Sequence, residues 1–420
     1  MAVPEMISLE EARELVLSRV SPLQPETVPL LDLIGRVAAE DLASDIEVSP
    51  FAHSAMDGFA MRASQLAGAS EDAPVELDVI AEVPAGGWFE GTIGEGQCVR
   101  IMTGAPLPAD ADAVVKYEVV GVVSGAGRAG GRVAFTAPAQ AGDNVRPAGD
   151  EAHAGEVIVH AGEVIHSAGV GFLAGCGVTE AATYRRPQVG IIATGAELVP
   201  PTEVPVRGQI RNSNSFMLAA ACIDAGAVPH ILPISPDDYD GLLAEVSDAA
   251  RTFDFVITSG GAANGDYDFI KKVVDAAGEL LMTTVNMRPG KAQTFGIVQG
   301  TPVFGLPGNP AAAYLGFEMI IRPALRAMQG YSHFSRPTVT ARLAEDMRKR
   351  DPRRIFNRAT LCKEADGSYS VMPAKNQSSG LFGPIQRANC FMVMPEGTGE
   401  YHKGDMLECV LLDIPEEVLL

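Results

Sequence analysis

Residues 286–313 read NMRPGKAQTFGIVQGTPVFGLPGNPAAA, an apolar hairpin-like run held between two rigid turns, Arg288-Pro289-Gly290-Lys291 and Pro307-Gly308-Asn309-Pro310. Two more glycine turns, Thr194-Gly195 and Ser259-Gly260-Gly261, follow short runs rich in Val and Ile. Glycine lets the backbone approach a ligand with its N–H groups turned inward, and a helix starting after such a turn adds the positive end of its dipole. Arg288 and Lys291 add full positive charges. One such turn is an ordinary strand-to-helix loop; four at one sheet edge make a pocket for a phosphate-like anion. Carboxylates are expected on the same rim: Glu197 after the first turn, Asp237 at a helix start, and Asp266 and Asp268 after Ser-Gly-Gly. Singly, each is a helix N-terminal acid. Together beside Lys291 they make chemical sense if Mg²⁺ bridges them to phosphate oxygens.

These turns need a scaffold that brings them together. Residues 185–330 alternate buried strands (QVGIIATG, VPHILPIS, FDFVITSGG) with helical segments that carry caps and first-turn acids, which predicts a doubly wound α/β sheet. Ligands of such sheets bind outside the carboxyl ends of the strands. Ser8 and Glu11 form a capping box for a first helix. Residues 49–146 carry short Val-rich runs between Gly, Pro and Asp turns, a β-rich inserted domain; 1–48 with 147–184 form the N-terminal helix and stalk that hold it. Residues 331–420 return to short strands, a C-terminal β domain.

The chain has 420 residues, 47% hydrophobic and 20% charged, with a net charge of −21. That charge is uneven: residues 1–184 hold nine basic against 27 acidic residues, 331–420 twelve of each. Duplex nucleic acid is excluded as a partner because phosphate neutralisation needs a basic face, whereas a small anion suits the C-terminal half. No apolar run approaches the roughly 18 residues of a membrane span, and the N-terminus shows no signal-peptide pattern, so a cytoplasmic location is expected. The six scattered cysteines suit neither a zinc site nor a disulfide framework. Gly125-Ala-Gly-Arg-Ala-Gly130 matches a dinucleotide fingerprint but lies between two β runs, so a hairpin tip is expected. The basic run Arg348-Lys349-Arg350, with Arg353, Arg354 and Arg358, is a solvated face or closes an anion pocket from outside.

HSAMDGFAMR (53–62), RIMTGAPLPADADAVV (100–115), NVRPAGDE (144–151), IIATGAEL (191–198), GQIRNSN (208–214), ITSGGAANGDYDF (257–269), RPGK (288–291) and LPGNP (306–310) together resemble the molybdopterin molybdenumtransferases, including the gephyrin E domain. The resemblance runs from residue 8 to the C-terminus. It implies an elongated homodimer of four-domain subunits that inserts molybdate into adenylylated molybdopterin, with Mg²⁺, and releases AMP. Molybdopterin adenylyltransferase and molybdoenzyme apoproteins or their chaperones are its implied partners. The α/β domain would hold the pterin and its phosphate, and the site would lie against the partner subunit, which supplies Asp57 and Thr103. Glu197, Asp237, Asp268, Lys291 and Ser379 fall on positions the family uses for substrate, metal and molybdate, with Asp237 and Asp268 as metal ligands. Arg353 and Arg358 match its R-x-x-F-x-R stretch. Ala196, Ala263-Asn264, Ala312 and Ile355 depart from the usual polar residues. A non-catalytic pterin-binding scaffold and a nucleotide pyrophosphatase or adenylyltransferase are the competing readings.

Overall fold

The computed structural model describes residues 6–235, 238–260, 269–412, 414 and 416. The expected capping box is formed: the Glu11 N–H donates to Ser8 Oγ at 3.2 Å and the Ser8 N–H to Glu11 Oε2 at 2.8 Å, opening the helix Leu9–Leu17. Its apolar stripe of Leu9, Ala12 and Val16 is buried in the core of the α/β sheet.

That sheet has six strands in the spatial order Val228–Ile231, Gln188–Ala193, Phe255–Ser259, Thr301–Leu306, Ala292–Val298, Gly278–Thr284. Successive side chains of the central strands face opposite ways. Val189, Ile191, Phe255 and Ile257 pack under helices Asn214–Asp224 and Pro310–Gly316, while Ile192 and Val256 pack under Tyr239–Thr252 and Phe269–Ala277. Helices therefore cover both faces, as expected of a doubly wound fold. Only the first four strands are parallel, however; the last two run antiparallel to their neighbours. The reason is local. Gln299 and Gly300 have φ of +52° and +88°, a two-residue reversal that turns the strand straight back, and residues 285–291 are too few for a crossover helix.

The β-rich region is a six-stranded mixed sheet in the order Ala113–Lys116, Gly58–Met61, Gln97–Ile101, Val75–Val83, Arg132–Phe135, Gly121–Ser124. The fingerprint-like glycines 125–130 cap its last hairpin and precede no α-helix. It hangs on a two-stranded link, His53–Ser54 against Val145–Arg146. At the other end, Thr338–Leu343, Arg354–Lys363, Tyr369–Pro373, Cys390–Met394 and Met406–Leu411 close into a five-stranded barrel, because Arg354–Lys363 pairs with both Tyr369–Pro373 and Cys390–Met394. A short parallel pairing of Met287–Arg288 with Arg354–Ile355 joins the barrel to the α/β sheet. Among the described residues no helix is long and apolar enough to cross a membrane, and no cluster of His, Cys, Asp and Glu is arranged to hold a metal. The cysteines are free thiols, all buried except Cys362.

Candidate active site

The glycine turns converge. The Thr194 N–H donates to Ser259 O at 3.0 Å and the Gly260 N–H to Leu306 O at 3.1 Å, so the loops ending three parallel strands are sewn edge to edge. The RPGK turn reaches the same rim because Gly278–Thr284 ends, and Ala292–Val298 begins, beside the carboxyl end of Thr301–Leu306. At Gly260, φ is +97° and a Cβ would stand 2.2 Å from the Thr194 carbonyl oxygen. Gly260→Ala is therefore expected to lower stability by at least ~2 kcal/mol, measured by denaturant unfolding, since both backbone strain and collision oppose it. Helix dipoles contribute less than expected. Among the described turns only Asn309-Pro310 opens a helix directly; Thr194-Gly195 runs instead into the strand pair Leu198–Val199 and Ile210–Arg211.

Below the RPGK and PGNP turns lies a cleft of about 840 Å³ between the α/β sheet and the barrel. Its lining contains Arg288, Lys291, Arg348, Lys349, Arg350, Arg353 and Arg358 against a single acid, Asp351. A crevice of about 910 Å³ elsewhere offers a contrast, for there Arg322, Arg326 and Arg336 are matched by Asp224, Glu318 and Glu416. Only the first cavity is strongly cationic, so an anion belongs there.

The cations of this cleft are of two kinds. Arg288 and Arg353 both donate to Asp351, at 2.8 Å for the former and 2.9 and 2.5 Å for the latter, and hold its carboxyl well below the usual carboxylate range. Lys349 is buried and donates to the Asp351 and Gly397 carbonyls. Arg288 thus shares its charge with Asp351. Lys291 is exposed at the mouth. Arg358 is only 1% exposed, donates through Nη2 to Ser378 O at 3.1 Å, and has no carboxylate partner among the described residues; its Nε is unbonded, and burial lowers its pKa. The adjoining Ser379 carbonyl accepts the Ala311 N–H at 2.9 Å, which fixes the serine loop at the start of helix Pro310–Gly316.

Residues 7–177 match the family model of the MoeA N-terminal region (domain I and II), 190–327 that of a probable molybdopterin binding domain, and 340–412 that of the MoeA C-terminal region (domain IV). The molybdopterin molybdenumtransferase of Bacillus subtilis (strain 168) is 35% identical over 390 residues, which cover 93% of this chain and 90% of that protein. The chain belongs to the molybdopterin molybdenumtransferase family. The Staphylococcus aureus (strain COL) molybdopterin molybdenumtransferase is 33% identical over 99% of this chain and 98% of its own. The solved molybdopterin biosynthesis MoeA protein of Pyrococcus horikoshii OT3 superposes with a TM-score of 0.81 at 27% identity, covering 97% of this chain and 100% of that one.

The cationic cleft gathers Arg288, Lys291, Pro307, Asn309, Arg353, Arg358 and Ser379 from the sequence-derived set. Thr194, Gly195, Ser259, Gly260, Gly308 and Pro310 lie along the adjoining rim. Glu197 is exposed beside Gly195. Gly261, Asp266, Asp237 and Asp268 lie outside the described residues. Asp57 and Thr103, 46 positions apart, are bonded to each other in the inserted domain. Asp57 Oδ1 accepts both the Thr103 N–H and Oγ1–H at 2.8 Å, and these bonds lower its pKa. Neither residue lines the cleft. Sequence reasoning did not single out Asn214, which it carried only within the GQIRNSN segment. Its Nδ2 donates to Ser259 Oγ at 2.9 Å and Gly308 O at 2.8 Å, while its Oδ1 and Thr194 Oγ1 are buried acceptors with no bond among the described residues. Its place in the GQIRNSN segment was the available signal. Asp351 was missed too, hidden within a basic run.

Proposed function

We propose that this chain inserts molybdate into adenylylated molybdopterin with release of AMP, and that the cationic cleft with the adjoining glycine rim is where the substrates meet. The observation that carries this reading is the seven-to-one excess of cations over acids around the cleft, in a chain of net charge −21. Molybdate, the pterin phosphate and the pyrophosphate link are all anionic. Cleaving the anhydride leaves negative charge on the departing AMP phosphate, which fixed N–H groups and cations stabilise. Lys291 would meet that charge at the mouth. Arg358 and the Ser379 hydroxyl would orient molybdate oxygens at the cleft's inner end. The open acceptors Asn214 Oδ1 and Thr194 Oγ1 suit donors on the pterin.

Glu197, Asp237 and Asp268 would offer oxygen donors of the kind a hard divalent cation such as Mg²⁺ takes. Bound there, Mg²⁺ would neutralise phosphate oxygens. Asp57 and Thr103 lie apart from the cleft of their own chain, which supports a homodimer in which they complete the partner's site. A cytoplasmic location, and exchange with molybdopterin adenylyltransferase and molybdoenzyme apoproteins or their chaperones, complete the reading. The deciding experiment supplies adenylylated molybdopterin, Mg²⁺ and molybdate to the purified protein and measures AMP. Tight pterin binding with no AMP would reject the enzyme in favour of a scaffold.

Arg358 gives an independent check. A buried guanidinium without an acid partner opposes folding unless something else needs it. Arg358→Met is accordingly expected to hold stability within about 1–2 kcal/mol of wild type, or to raise it, while removing molybdate binding. Denaturant melts and molybdate titration of the same sample read the two effects separately.

A further inference from the structure

The Asp351 carboxylate accepts four hydrogen bonds from two of the cleft's arginines. Its Oδ1 accepts the Arg353 backbone N–H at 3.0 Å and Nε at 2.9 Å; its Oδ2 accepts Arg353 Nη2 at 2.5 Å and Arg288 Nη1 at 2.8 Å. Arg353 Nη1 also reaches Met287 O at 3.4 Å, and Lys349 Nζ donates to Asp351 O at 2.8 Å. Arg288 belongs to the RPGK turn of the α/β sheet; Asp351 and Arg353 belong to the barrel side. Their backbones are already joined by the pairing of Met287–Arg288 with Arg354–Ile355. What the carboxylate adds is an anchor for two guanidinium groups, one from each side of the cleft: Arg353 is held through Nε and Nη2, and the half-exposed Arg288 through Nη1.

That anchoring bears on a chemical problem of the site. Sulfate and molybdate are tetrahedral dianions of equal charge and different size, so a cleft that attracts by charge alone accepts both. Arginine has a long flexible stem, and an unrestrained pair would close on the smaller ion. Selectivity needs donors that cannot follow the ligand inward, together with a penalty on the wrong ion. We propose that Asp351 is a positioning residue that sets anion specificity, pinning Arg288 and Arg353 so that the cleft prefers molybdate to sulfate. This inference rests on the reading of the cleft as the molybdate site. The carboxylate also removes one of the positive charges it touches, which weakens indiscriminate anion capture.

The test titrates the full-length protein calorimetrically with molybdate, tungstate and sulfate in turn, for wild type, Asp351→Asn and Arg288→Lys. Asp351→Asn is expected to bind sulfate more tightly and to lose about tenfold in the ratio of molybdate to sulfate affinity. Arg288→Lys preserves charge but not the planar fork, and its ratio is expected to fall in the same direction by less. Loss of the ratio in Asp351→Asn alone also supports the proposal, with Arg353 as the group that matters. A merely structural Asp351 would weaken both anions equally, so an unchanged ratio in both variants overturns the inference. Should Asp351→Asn fail to fold, Arg353→Lys is titrated beside Arg288→Lys, and an unchanged ratio in both of these overturns the inference. Wild type that binds neither molybdate nor tungstate overturns the reading of the cleft itself, whatever the variants do.

Discussion

Replacing Lys291 by alanine is expected to reduce AMP release by about 10²–10³-fold while leaving the fold intact, because one fixed cation facing developing charge is worth about that much. The side chain is exposed, and the structural contact of this residue, its carbonyl accepting the Val285 N–H at 2.9 Å, belongs to the backbone and survives substitution. Stability should therefore stay within about 0.5 kcal/mol. The effect is large for a surface lysine because of its surroundings. Arg288 and Arg353 share Asp351, Lys349 is committed to carbonyls, Arg358 is buried, and the exposed Arg348 and Arg350 stand on the barrel side, so Lys291 is the exposed cation that the RPGK turn itself carries without a carboxylate among the described residues. Single-turnover AMP release and urea unfolding on one preparation check both halves. AMP release within a few-fold of wild type would remove Lys291 from the chemistry.

The elements whose signal is local were legible in the sequence. The Ser8–Glu11 box, the buried strands Gln188–Ala193 and Phe255–Ser259, and the Asn309-Pro310 helix start follow from caps and periodicity, and the structure has all of them. The convergence of the glycine turns was also predictable, since parallel strands put their carboxyl ends on one edge. Strand direction at that edge was not. The run 292–306 has the length and hydrophobicity of parallel core strands, and only the two left-handed residues Gln299 and Gly300 decide that it doubles back. Charge pairing was the other gap. The sequence places Asp351 two residues before Arg353 but gives no hint that Arg288, 63 positions away, shares the same carboxylate. Likewise nothing local marks Arg358 as buried, and the GQIRNSN segment draws notice to Asn214 without showing that it bridges two turns; these are properties of packing.

Mixing two inactive variants is expected to restore activity if the site is built from both subunits. Asp57 is the right residue for the first variant. Its Oδ1 holds the Thr103 N–H and hydroxyl at 2.8 Å, it is exposed, and the two bonds keep its carboxyl ionised below the usual range. Asp57→Asn retains an oxygen to accept those bonds and loses the charge, so the loop keeps its shape. Lys291→Ala supplies the second variant, on the other side of the proposed site. Each homodimer alone would carry one defect in every site. After random reassortment half the dimers are mixed, and each mixed dimer has one site with both defects and one with neither, so about a quarter of wild-type AMP release should return. Sedimentation of the mixture establishes that dimers formed and exchanged. If exchange is complete and AMP release stays at the level of the separate variants, Asp57 and Lys291 act within one chain and the shared-site reading is wrong. Restoration by Thr103→Val in place of Asp57→Asn would place the bonded pair, as a unit, across the interface from Lys291.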